Sequence, residues 1–140
     1  MPNSTWMNAT LLSDRAAALL EVAREARLRA YAPYSHFTVG AALESADGVI
    51  VVGCNVENAS YGLTICAERS AVSAAIAAGH RELTAIAVAG PDGAMVSPCG
   101  ACRQVLAEFN PSMTVIYTTP DGPVSTTAAE LLPHSFGPFV

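Results

Sequence analysis

The feature that most constrains this chain is a pair of cysteine motifs, Thr64-Ile65-Cys66-Ala67-Glu68-Arg69 and Pro98-Cys99-Gly100-Ala101-Cys102. The first offers one thiol with a carboxylate two residues on. The second offers two thiols three apart, which share one face of a helix and can bite a single ion. Each motif opens an expected helix, so a fold that uses both must aim two helix N-termini at one point. The exposed N–H groups there favour thiolates. Three soft ligands, beside an acid too close to serve as the fourth, describe an open zinc site. Catalytic zinc keeps three protein ligands and leaves a position for water, whereas structural zinc closes all four. Glu68 could then carry protons to and from that water. Three thiolates leave a net negative centre, which blunts the acidity of bound water. Arg69 or Arg103 could offset that charge by donating to the sulfurs, with Arg69 the first choice.

Other readings of the same residues stand beside this one. A thioredoxin-like Cys-x-x-Cys would sit alone after a strand and need neither Cys66 nor Glu68. A closed structural site needs a fourth ligand, which Cys54, His36, His80 or His134 could supply, although none has a short-spaced partner. Otherwise the three histidines read as surface or loop residues, and Cys54 as a small buried hydrophobe.

Composition narrows the function classes. The chain has 140 residues, which bounds it to one domain over 1–140, with 1–12 expected as a poorly ordered lead-in. It is 51% hydrophobic and only 14% charged, with no apolar run long enough to cross a bilayer. The apolar excess favours self-association. The net charge is −5, and the widest basic stripe is Arg24, Arg27 and Arg29, so the phosphate-binding footprint of a nucleic-acid protein is missing. A small neutral substrate fits better, with neither nucleic acid nor membrane as partner. No signal-peptide pattern opens the chain, so reduced thiols and a cytoplasmic location are expected.

Periodicity predicts a mixed α/β order. Ser13 is a candidate N-cap, and Ala16, Leu19, Leu20, Ala23, Ala26 and Ala30 repeat at helical spacing until Pro33 stops the helix. Phe37, Val39 and Ala41 alternate as a first strand, the Ala46-Asp47-Gly48 turn follows, and 49–52 returns as its hairpin partner. The helix-forming run 71–78 ends before Gly79, a C-cap residue. A buried strand over 83–89, a helix over 101–109, a strand over 114–117, a fifth strand around Val124 and a short helix over 127–132 complete the list. The order predicts an α/β three-layer domain, with a mixed five-stranded sheet flanked by helices.

Cys-Ala-Glu followed by Pro-Cys-Gly-Ala-Cys resembles the zinc-dependent nucleoside and nucleobase deaminases, in the three-cysteine variant of their motif. With Cys66 as first ligand, the chain is similar to the small homotetrameric cytidine deaminases. The likeness extends through 31–42, through Gly53-Cys54-Asn55-Val56-Glu57-Asn58 and through 131–136. It implies zinc held by Cys66, Cys99 and Cys102, Glu68 as proton shuttle, and a nucleoside substrate in active sites shared within a homotetramer. Asn55 and Glu57 would hold the ribose hydroxyls, and two residues apart on extended chain they point the same way. Phe37 would pack on the pyrimidine ring, and Ala67 would contact the substrate. Tyr61 and Phe136 would reach a neighbouring subunit's pocket, although ordinary packing is the plain alternative for all three aromatics. The implied reaction is hydrolysis of cytidine and 2′-deoxycytidine to the uridine nucleosides and ammonia. A related amino-heterocycle, a polynucleotide substrate and a non-enzymatic zinc module are the competing readings.

Overall fold

The structure is a computed structural model, in which residues 12–137 are described. Residues 1–11 of the expected lead-in lie outside that range. Helix α1 (Asp14–Ala26) starts at Ser13, whose hydroxyl accepts from the Ala16 amide at 3.2 Å. It buries Leu19, Leu20, Ala23 and Ala26. A 3₁₀ turn (Arg27–Arg29) then replaces the further α-turn that the apolar spacing predicts. Strands β1 (Gly40–Ser45) and β2 (Ile50–Cys54) form the antiparallel hairpin. Helix α2 (Ala67–Ala77), strand β3 (Leu83–Ala89), helix α3 (Gly100–Phe109), strands β4 (Thr114–Thr119) and β5 (Gly122–Thr127) and helix α4 (Ala128–Leu131) follow.

The strands lie in the order β2-β1-β3-β4-β5, with β3 and β4 parallel and the other neighbours antiparallel. Alternation along the strands makes three layers. Ala42, Ala87, Ala89 and Ile116 turn to one face and pack with Leu19, Leu20 and Ala23 of α1. Ala41, Leu43, Ile86, Val88, Val115 and Tyr117 turn to the other, against Ala71, Val72 and Ala75 of α2 and Leu106 of α3.

Two glycines set how closely the helices approach the sheet. A Cβ on Gly40 would stand 2.1 Å from the Ala23 carbonyl oxygen, so α1 rests on bare backbone. A Cβ on Gly53 would stand 2.4 Å from the Ala71 amide and 2.6 Å from the Ala67 carbonyl oxygen. This second contact fixes the first turn of α2 against β2, and Cys66 is the residue that caps that turn. Gly79, at φ +97°, lets the chain leave α2 in a left-handed conformation.

Candidate active site

Cys66 and Cys99 each occupy the N-cap position of a helix, α2 and α3, in extended backbone. The two helix starts converge. The sulfurs of Cys66, Cys99 and Cys102 lie within 4.8 Å of one another, and among the described residues no fourth His, Cys, Asp or Glu joins the group. Bonds of about 2.3 Å place the ligands of a tetrahedral zinc about 3.8 Å apart, so one ion can draw these three together.

The electrostatics of the sulfur group suit a cation. Cys66 is held down to about 5, first by the hydrogen bond from the Cys102 thiol and then by Arg69, with burial opposing. Cys102 is pushed up, first by that same shared hydrogen bond and then by burial. Arg69 Nη2 lies 3.5 Å from Cys66 Sγ, and Arg69 Nε is buried with no hydrogen-bond partner among the described residues. A guanidinium half-committed to one sulfur fits a cluster whose negative charge grows when all three thiols ionise. The donor set, its spacing and this adjacent cation all fit zinc.

Glu68 sits one step inside α2 and is 5% exposed. Burial, with the Cys66 charge adding to it, raises its carboxyl above the ordinary value. A raised value suits a group that must hold a proton in part of a cycle. Arg103 makes different contacts from Arg69. Its Nε donates to the Pro98 carbonyl at 2.6 Å and its Nη1 to the Leu131 carbonyl at 2.9 Å. It fastens the Cys99 turn to the end of α4, and no donation to sulfur is observed for it.

A cavity of about 240 Å³ opens over these groups, lined by Phe37, Asn55, Cys66, Ala67, Glu68 and Cys99 together with Thr64, Ser97 and apolar side chains. A larger hollow of about 350 Å³ lies at the opposite end of β1, beside the Arg15–Glu44 ion pair, and holds no sulfur. The chemistry is in the smaller one. Glu57 and Tyr61 line an adjoining hollow with Tyr34 and Ser35, and Thr64 borders both. Phe136 lines neither of these two and is 75% exposed, with its carbonyl accepting from Gln104 Nε2 at 3.0 Å. The sequence motifs assign Thr64 and Ser97 no side-chain role, and their one signal is that they closely precede Cys66 and Cys99.

The side chains of Asn55 and Glu57 both reach the segment that carries Phe37. Asn55 Oδ1 accepts from the Val39 amide at 2.9 Å, and Asn55 Nδ2 donates to the Phe37 carbonyl at 2.8 Å. The Glu57 carboxylate accepts from the amides of Tyr34 and Ser35, at 2.9 and 3.1 Å, and from the Ser35 hydroxyl. Ser35's hydroxyl is the leading cause of a Glu57 carboxyl held below its ordinary range. Neither side chain is saturated. Asn55 keeps a second N–H and a second lone pair, and Glu57 keeps a lone pair for another donor.

The family model for the cytidine and deoxycytidylate deaminase zinc-binding region matches residues 13–119. A cytidine deaminase from Sporosarcina psychrophila is 51% identical over 120 residues, covering 84% of this chain and 88% of that protein. One from Mycobacterium tuberculosis is 47% identical over 116 residues, covering 82% and 84%. The crystal structure of the cytidine deaminase from Burkholderia pseudomallei superposes with a TM-score of 0.81 at 50% identity, across 89% of this chain and all of the other. That of the Mycobacterium tuberculosis protein gives 0.77 at 43% identity. With that family model spanning 13–119 and relatives near 50% identity over most of the chain, the chain belongs to the zinc-binding cytidine and deoxycytidylate deaminase family.

Proposed function

We propose that this chain is a zinc-dependent cytidine deaminase, hydrolysing cytidine and 2′-deoxycytidine to the uridine nucleosides and ammonia in pyrimidine salvage. The observation that carries the reading is the trio of sulfurs beside buried Glu68, at the floor of a cavity that can admit one pyrimidine ring. Cys66, Cys99 and Cys102 would hold the zinc. When bound there, zinc supplies the Lewis acidity that lets water act as a nucleophile near neutral pH.

The chain's own groups do the rest. Glu68 takes a proton from the attacking water and delivers it to N3 of the ring as C4 is attacked. It then takes the second proton from the new C4 hydroxyl and passes it to the amino group, as the C4–N4 bond breaks and ammonia leaves. Its burial keeps these transfers out of bulk water. Arg69 offsets the charge of the thiolates, and Arg103 holds the turn that presents Cys99. Phe37 packs on the pyrimidine, Ala67 borders the ring at the start of α2, and the spare hydrogen-bonding capacity of Asn55 and Glu57 meets the sugar hydroxyls.

The finer features belong to the same reading. A single domain spans 1–140, and the enzyme works in the cytoplasm as a homotetramer with shared active sites. Tyr61, at 74% exposure, and Phe136 would reach a neighbour's pocket. Tyr34, Phe37, Val56, Leu63 and Ile65 add further exposed apolar surface on the segments beside the cavity.

The decisive test is Glu68→Gln. The variant should keep its zinc and its fold, while loss of cytidine absorbance slows by about a thousandfold or more. Retained turnover would remove the proton-carrying role from Glu68.

A further inference from the structure

Phe37 owes its position to an unusual turn. His36, immediately before it, lies at φ +59°, a left-handed conformation that residues with a Cβ seldom adopt. Such a residue persists where its surroundings over-determine the backbone. Here the His36 amide donates to the Ala32 carbonyl at 2.9 Å, and the amides on either side of it donate to oxygen atoms of side chains. The Ser35 hydroxyl stands at the centre. It donates to Glu57 Oε2 and accepts from the Phe37 amide at 3.0 Å. On the far side of the same residue, the Phe37 carbonyl accepts from Asn55 Nδ2. Both backbone polar groups of Phe37 are thus held by side chains, one by Ser35 and one by Asn55.

We propose that Ser35 is a positioning residue for the pyrimidine site: its hydroxyl relays the fixed Glu57 carboxylate to the Phe37 amide and so holds the Phe37 ring in the cavity wall. Ser35 does not line that cavity and would touch no reacting atom. It acts through Phe37. The same carboxylate that would meet the sugar thereby also sets the wall for the base, and Ser35 joins the two. This inference rests on reading the cavity as a cytidine site with Phe37 against the ring.

Without the hydroxyl, the Phe37 amide loses its acceptor and Glu57 loses a donor. The Tyr34 and Ser35 amides still hold Glu57 Oε1, but the Phe37 end of the turn is no longer tied to the carboxylate. Water can replace part of the lost bonding, so the effect is moderate.

The experiment is steady-state kinetics on the zinc-loaded enzyme for Ser35→Ala, Ser35→Thr and Phe37→Ala, with cytosine as a competitive inhibitor and a melting curve for each variant. Ser35→Ala should raise KM for cytidine about fivefold while kcat stays within about twofold. It should weaken cytosine inhibition by the same factor, because cytosine has no sugar to feel Glu57. Ser35→Thr, which keeps the hydroxyl, should restore the parent values. An unchanged KM in Ser35→Ala overturns the proposal. So does a KM rise for cytidine with cytosine inhibition intact, which would place the effect at the sugar. A parallel fall of kcat and melting temperature would reduce Ser35 to a structural role and overturn it as well. Phe37→Ala separates the two levels: if it raises KM and Ser35→Ala does not, only this inference fails. If Phe37→Ala leaves KM unchanged, the reading of the cavity fails and the inference with it.

Discussion

The sulfur corner and the aromatic rim of the cavity are built on opposite plans. At the corner, two helix starts pinned to a rigid sheet bring buried Glu68 and buried Cys102 together, and one chain supplies every group. At the rim, Tyr34, Phe37, Tyr61, Leu63 and Ile65 come from turns outside the sheet, and each keeps 40% or more of its surface exposed. The one ring contact among them is the edge-on pair of Tyr34 and Tyr61, at 5.9 Å. Bond-making chemistry is thus placed where the backbone has no freedom. The recognition proposed for the rim falls where side chains are exposed and lie outside the sheet.

Breaking the corner should give the largest effect. Cys102→Ala should lose nearly all bound zinc and turnover together, seen by metal analysis and the absorbance assay on one sample, because two sulfurs cannot complete the site. Full zinc content in that variant would mean that the ion binds elsewhere. Breaking the rim should leave the metal untouched. Tyr61→Ala should keep its zinc while KM rises about tenfold and the assembly weakens, read by sedimentation, as the interface role proposed for Tyr61 requires. Unchanged KM and assembly would confine Tyr61 to its contact with Tyr34 in the same chain.

The smallest effect is acid sensitivity of the rim turn. The Glu57 carboxyl is held below its ordinary value of 4.5, chiefly by Ser35, so its bonding to the turn is fully present above that value. That stabilisation is lost as pH falls through the lower folded value, because protonation turns one oxygen into a donor and leaves the other a weaker acceptor. Glu57→Gln should flatten the acid limb of a stability-against-pH curve. An identical limb in both proteins would show that the turn does not depend on the ionised acid.

The sequence spoke clearly wherever local pattern decides structure. The apolar run bounded by Glu82 and Pro91-Asp92-Gly93 predicts a buried strand over 83–89, and that is β3. The two cysteine motifs announce that two helix starts meet, and their sulfurs do. It misled where distant side chains take over the backbone. Phe37 and Val39 alternate like strand residues, yet β1 begins only at Gly40. The backbone of 34–39 instead bonds to the side chains of Asn55 and Glu57, and no local window can show that. The helix-forming run 71–78 placed the body of α2 and the Cys66 motif placed its start, but the close approach of Ala67 and Ala71 to Gly53 had no local signal. The spacing of Asn55 and Glu57 predicts a pair pointing the same way, but nothing local foretells their bonds to the 34–39 turn.

Arg103 carries a consequence for the order in which the molecule matures. It links the Pro98 carbonyl to the Leu131 carbonyl, while its neighbour Gln104 holds the carbonyl of Phe136. The turn that carries Cys99 therefore gains its last support only after the ribosome has released residues beyond 131. A nascent chain that has already made all three cysteines still lacks the brace for one of them.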